Sequence, residues 1–163
     1  MSFIAPSCAP VAKPIQSRIG VAEKAAPEVP NLACVALVES AADKLSALSW
    51  RAHVRDRAAA NDDPSIVRHL HDLAALEPHV LGNQDLIRLT RLSIAADARR
   101  TDNLPAEAVL LRSMLDRLAK DKLWGDEYVQ FVTQVSYAPA GERISFAAVL
   151  AACGRLVERV LAE

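Results

Sequence analysis

The chain has 163 residues, 52 % of them hydrophobic and 24 % charged, which excludes wholesale disorder and is enough to bury one core. A net charge of −1, with 19 Lys and Arg against 20 Asp and Glu, excludes a global basic field that would hold nucleic acid without specificity. Three cysteines (Cys8, Cys34 and Cys153) with no CxxC spacing argue against a disulfide framework or a structural zinc site, and fit a reducing cytoplasm.

Residues 1–37 carry five of the nine prolines, so continuous helix is excluded there. The stretch reads as an extended N-terminal segment with one or two short strands, at residues 3–5 and 32–37. A helical turn or two fits within 15–26. From residue 38 onward the periodicity is helical, and the expectation is a mainly α fold: a bundle of about five to six helices. The first helix is expected over 39–60, with Ala41, Leu45, Leu48 and Ala52 as its apolar stripe. Asp63 then suits an N-cap and Pro64 a first helical position. Ile66, Leu70 and Leu73 face the core in the second helix, which Glu77-Pro78 should break. A third helix is expected over 84–99.

Thr101-Asp102-Asn103 before Leu104-Pro105 reads as a turn that opens a fourth helix bearing Leu111, Met114, Leu115 and Leu118. A fifth is expected over 124–135, anchored by Tyr128, Phe131 and Val132, and a turn at 138–141. Ser145 suits the cap of a last helix with Val149, Cys153, Leu156, Val157 and Val160 on one face. Cys153 on that face is a small core residue rather than a nucleophile. The longest apolar run, 146–153, is far short of the roughly 20 residues that cross a bilayer, and no signal peptide is visible. The expected setting is cytoplasmic, with no membrane partner.

No GxxxxGK[ST], GxGxxG, HExxH or GxSxG pattern occurs. Two segments carry chemistry beyond packing. In residues 38–48, helical spacing puts Ser40, Lys44, Ala47 and Arg51 on one face beside the apolar stripe. A lysine there buries its stem and offers its ammonium to a phosphate; the alternative is a solvated helix edge with Lys44 paired to a surface acid. In residues 66–76, Arg68 and Asp72 are i, i+4 neighbours, so Arg68 can neutralise Asp72 on a partly exposed face. His69 and His71, two apart, point to different sides, which counts against a metal site.

Glu39 to Leu48 with its acidic-Lys-Leu core, followed by Asp62 to Leu73 with Arg68-His69-Leu70-His71-Asp72-Leu73, resembles the AbiEii/AbiGii nucleotidyltransferase toxin family. Lys44 matches the lysine of the family's first helix motif, Asp72 the aspartate of the second (RDLYDL in form), and Arg68 the basic residue before it. Residues 2–17 and 124–145 also look like the family's C-terminal region. The resemblance implies a polymerase-β-like nucleotidyltransferase toxin of a bacterial toxin–antitoxin or abortive-infection system, using Mg²⁺ and a nucleoside triphosphate. It implies catalytic roles for Lys44 and Asp72. It implies substrate contacts for Arg68, Ser40 and Arg51, an antitoxin partner and an acceptor that the sequence leaves open between RNA, protein and other molecules. The family's Gly-Ser or Gly-Gly followed by Asp-x-Asp, which holds the metal, has no match here. The expectation is therefore the C-terminal part of such a toxin (a fragment, split subunit or decayed product), inactive alone, with residues 38–163 as a helical C-terminal domain. The alternative is a non-enzymatic helical interaction module that binds an antitoxin or self-associates.

Overall fold

Prolines shape the start of the chain. In the computed structural model, which describes residues 6–99, 103–135 and 140–162, Val11–Ile15 (β1) pairs antiparallel with Val29–Cys34 (β2). The register is regular from Val11↔Cys34 to Lys13↔Leu32 and shifts before Ile15↔Val29. Pro14 sits at that shift, where a residue without an amide hydrogen cannot donate to the ladder. The second strand thus lies a few residues earlier than 32–37; the other expected strand, residues 3–5, lies outside the described residues. Between the strands a single turn of helix, Arg18–Ala22 (α1), is capped by Ser17, whose hydroxyl accepts from the Gly20 amide. Glu28 holds that corner by accepting from the Ser17 amide and hydroxyl. A Cβ on Gly20 would stand 3.1 Å from Glu28 Oε1, so this corner suits glycine. The hairpin leaves Val11, Ile15, Val29 and Leu32 exposed.

The helical region starts at Leu37–Val54 (α2), which contains no Gly or Pro and packs against three other helices. Its expected stripe, Ala41, Leu45, Leu48 and Ala52, is fully buried. The helix ends at Val54 rather than at 60. Ala58-Ala59-Ala60 favours helix by propensity, but Arg55 turns extended (φ −61, ψ 124) so that its guanidinium reaches Asp62 and Glu127. Arg117 donates to the Ala52 and His53 carbonyls, which the helix end leaves without amide partners.

Asp63 accepts from the Ser65 amide and Pro64 opens a 3₁₀ turn, Pro64–Val67, as the sequence suggested. That turn runs into Arg68–Val80 (α3). Pro78 does not break α3, because the helix simply continues for two residues past the one hydrogen bond it loses. There follow Asp85–Asp97 (α4), Glu107–Lys120 (α5), Leu123–Val135 (α6) and Phe146–Leu161 (α7). Ser145 caps α7 by accepting from the Ala148 amide. The fold is mainly α with a short two-stranded sheet, and it has seven α-helices among the described residues, counting the one-turn α1. The turns expected at 101–103 and 138–141 fall partly outside those residues.

Around α2, the core closes by packing α4 on one side and α3 on the other, with α5 and α7 completing it. Leu110, Leu111, Met114 and Leu118 come from α5, and Val149, Cys153, Leu156 and Val160 from α7. Burial pushes the Cys153 thiol up to about 12, so it stays a neutral core residue. No helix among the described residues is long and apolar enough to cross a membrane.

Candidate functional site

The two sequence motifs meet where α2 and α3 pack. Lys44 lies on the second turn of α2, on the edge turned toward α3. Asp72 lies on the second turn of α3, which the Asp63 cap and Pro64 start in register. Lys44 Nζ donates to Asp72 Oδ2 at 2.5 Å. The side chains keep 32 % and 40 % of their surface exposed, so the pair is open to solvent on one side. Side chains 28 residues apart in sequence are thereby joined.

Arg68 does not take the place at Asp72 that its i, i+4 spacing offered. It turns back along its own strand of chain and donates to Ser65 Oγ at 2.8 Å, leaving Asp72 to Lys44. Arg51, two turns after Lys44, lies over the Trp50 ring at 5.4 Å. Ser40, one turn before Lys44, is half-buried. Ala47 does not share the Lys44 face. It lines the opposite groove, between α2 and α4, with Glu39, Asp43, Ser93 and Asp97. In that groove Glu39 accepts from the Ser7 and Cys8 amides and Asp43 from the Ser93 hydroxyl. Neutral donors to both carboxylates, with the nearby Arg88 charge on the Glu39 side, offset their i, i+4 repulsion.

Beneath the Lys44–Asp72 pair sits His69, 9 % exposed, with both ring nitrogens buried and unpaired. Burial, reinforced by the positive charges of Lys44, Arg68 and Arg51, lowers its pKa to about 4. The imidazole is therefore neutral near pH 7 and adds no charge to the site. His71 points elsewhere, as expected from its spacing, and stacks on Tyr128 with ring centroids 6.5 Å apart. Tyr128 in turn donates to the Ile144 carbonyl, so His71 is a packing residue.

A second charged cluster was not legible in the sequence. Arg55 grips Asp62 through two bonds at 2.7 Å and Glu127 at 2.6 and 2.9 Å, with its side chain only 6 % exposed. Arg57 donates to Glu127 and Asp121. Both guanidinium groups lie against the Trp124 ring, at 4.7 and 4.9 Å. The hydrogen bonds hold Asp62 and Asp121 below the ordinary carboxylate range. Arg-Asp-Arg just after a helix is a local hint, but apart from Asp62, seven residues on, its partners lie 64 to 72 residues away.

The donor set does not suit a divalent metal. Among the described residues no three His, Cys, Asp or Glu side chains converge. Asp72 is bonded to Lys44, and Glu39 and Asp43 face the other groove. A Mg²⁺ ion needs oxygens converging in a near-octahedral shell, and this site offers one carboxylate. The cationic side is different. Lys44 and Arg51 lie on one edge of α2 and can serve phosphate oxygens, Lys44 as a point charge and Arg51 as a two-pronged donor.

The family model described as "Nucleotidyl transferase AbiEii toxin, Type IV TA system" matches residues 3–152. No curated protein matches the chain, and no solved structure does.

Proposed function

The chain belongs to the AbiEii nucleotidyltransferase toxin family, of type IV toxin–antitoxin systems, and from that premise we propose that the α2–α3 edge is its share of a nucleotide-transfer site. Lys44 contacts the nucleotide phosphates. Asp72 orients the acceptor hydroxyl or accepts its proton. Arg51, Arg68 and Ser40 line the path of the substrate. The observation that carries this reading is the Lys44–Asp72 contact, which joins both family motifs at one half-open edge. In the ground state Asp72 holds the ammonium in place; an arriving phosphate competes for it. Nucleotidyl transfer uses a nucleoside triphosphate and commonly Mg²⁺, and the metal-holding carboxylates are not among this chain's residues. The chain alone therefore binds nucleotide and transfers none. The acceptor is RNA, the setting is the cytoplasm, and an antitoxin is the system's counterpart.

The test is purified chain with Mg²⁺, labelled nucleoside triphosphates and total RNA, beside Lys44→Ala and Asp72→Ala. No label on RNA in any of the three fits the proposal. Label that appears with the natural chain and vanishes in both variants means the whole centre is assembled here, and the incomplete-site reading falls.

A second reading draws on the hairpin. Val11, Ile15, Val29 and Leu32 are 39 to 48 % exposed on a two-stranded sheet, a unit of marginal stability unless something packs on it. In that reading the chain is a non-enzymatic module that binds the antitoxin or a second copy. Light scattering across a concentration series separates self-association from a monomer.

A further inference from the structure

At the C-terminal end of α2 the loop of residues 55–63 folds back and lines a half-open cavity of about 300 Å³. Trp50, Arg51, the buried Ile66 and the exposed Asn61 and Asp63 are among its lining residues. The loop cannot collapse into this space, because Arg55 is pinned between Asp62 and Glu127. The hollow is thus built by the same clamp that ends the helix.

Its chemistry is that of a flat, hydrogen-bonding ring. Trp50 is half-buried, with the Arg51 guanidinium over its ring at 5.4 Å, so a base stacks there once Arg51 swings off that face toward the phosphates. Asn61 is exposed and offers both a donor and an acceptor. Asp63 keeps its carboxylate ionised through its bonds to Ser65, and so presents an acceptor to the cavity. The position fits as well. Arg51 belongs both to the cavity lining and to the Lys44 edge. Seven residues of α-helix separate Lys44 from Arg51, about 10 Å along the axis. That span is on the scale from the outer phosphates of a nucleotide to its base.

We infer that this cavity is the nucleobase subsite of the nucleotide whose phosphates Lys44 binds, with Trp50 as its stacking shelf. The inference rests on the reading of Lys44 above and adds where the base lies. No covalent step is involved.

The test compares two kinds of probe by equilibrium dialysis without added metal: the four common nucleoside triphosphates, and inorganic tripolyphosphate, which lacks a base. The full chain is used, with Trp50→Leu, Trp50→Phe and Lys44→Ala, each checked for helical circular dichroism. The expected result is that at least one nucleoside triphosphate binds roughly tenfold more tightly than tripolyphosphate. Trp50→Leu removes that advantage and leaves tripolyphosphate binding as it was, while Trp50→Phe keeps most of it. Equal binding of nucleosides and tripolyphosphate by the natural chain overturns the subsite, as does an advantage that survives Trp50→Leu. Failure of the Lys44 reading looks different: tripolyphosphate then binds Lys44→Ala as well as it binds the natural chain. Absence of binding by every probe overturns both.

Discussion

An ion-pair cluster just past the C-terminal end of α2 and an ion pair near its start are built in opposite ways. In the first, Arg55 is 6 % exposed, is gripped by Asp62 and Glu127, and is stacked on Trp124; Arg57 and Asp121 extend the network. In the second, Lys44 and Asp72 share one hydrogen bond and remain 32 % and 40 % exposed. In the first, Arg55 is closed off from solvent with both its carboxylate partners engaged, though Arg57 Nη2 is buried without a partner, and its bonds hold residues 55–63 against α6. The second has spare donors and acceptors facing solvent, which leaves both groups free to exchange partners with a ligand. Burial and satisfaction, not the presence of opposite charges, separate a structural ion pair from a candidate reactive one.

The largest expected effect comes from breaking the closed cluster. Glu127→Ala leaves the buried Arg55 and the half-buried Arg57 short of a partner and should cost about 3 kcal/mol in urea unfolding. A loss under 1 kcal/mol would erase the contrast between the clusters.

The acid response of His69 comes next. Its pKa falls from 6.5 unfolded to about 4 folded, so the unfolded chain binds the extra proton first. Its contribution is fully present above pH 6.5 and is lost progressively as pH falls toward 4, by roughly 3 kcal/mol in all. The paired carboxylates Asp62 and Asp121 lose theirs lower, below their ordinary value of 3.8. Unfolding curves between pH 7 and 4.5 should therefore flatten in His69→Leu. Identical slopes in both proteins would show that this ring is not buried as described.

Smaller still is the cap of α7. Ser145→Ala removes the acceptor for the Ala148 amide and should cost about 1 kcal/mol. Least of all, Lys44→Met should change stability by less than 1 kcal/mol, because an exposed pair contributes little. A large loss there would place Lys44 with Arg55 among the structural charges.

What the sequence revealed followed the range of each signal. Helical stripes are local, and those of α2, α5 and α7 could be read directly, as could the Asp63 and Ser145 caps. The end of α2 could not, because Ala58-Ala59-Ala60 speaks for helix while Glu127, 72 residues beyond Arg55, decides otherwise. Pro78 misled in the other direction, since one proline near a helix end costs one bond and need not stop the helix. Spacing offered Lys44 either a phosphate or a surface acid, and offered Arg68 to Asp72; in the fold Lys44 takes the acid, Asp72, and Arg68 does not. The meeting of Lys44 with Asp72 needs α2 packed on α3, and no periodicity encodes it. The lone, buried imidazole of His69 was equally invisible, because its meaning lies in partners it lacks.

The most direct test of the central claim uses the competition between Asp72 and phosphate for one ammonium. Tripolyphosphate binding is measured for the natural chain, Lys44→Met and Asp72→Asn, with unfolding curves for each. Opposite signs are predicted: Lys44→Met weakens binding by roughly tenfold or more, and Asp72→Asn, which frees Lys44, tightens it several-fold, with stability nearly unchanged in both. If the two substitutions shift binding in the same direction, or neither shifts it, the Lys44–Asp72 edge is a surface ion pair and not the phosphate site.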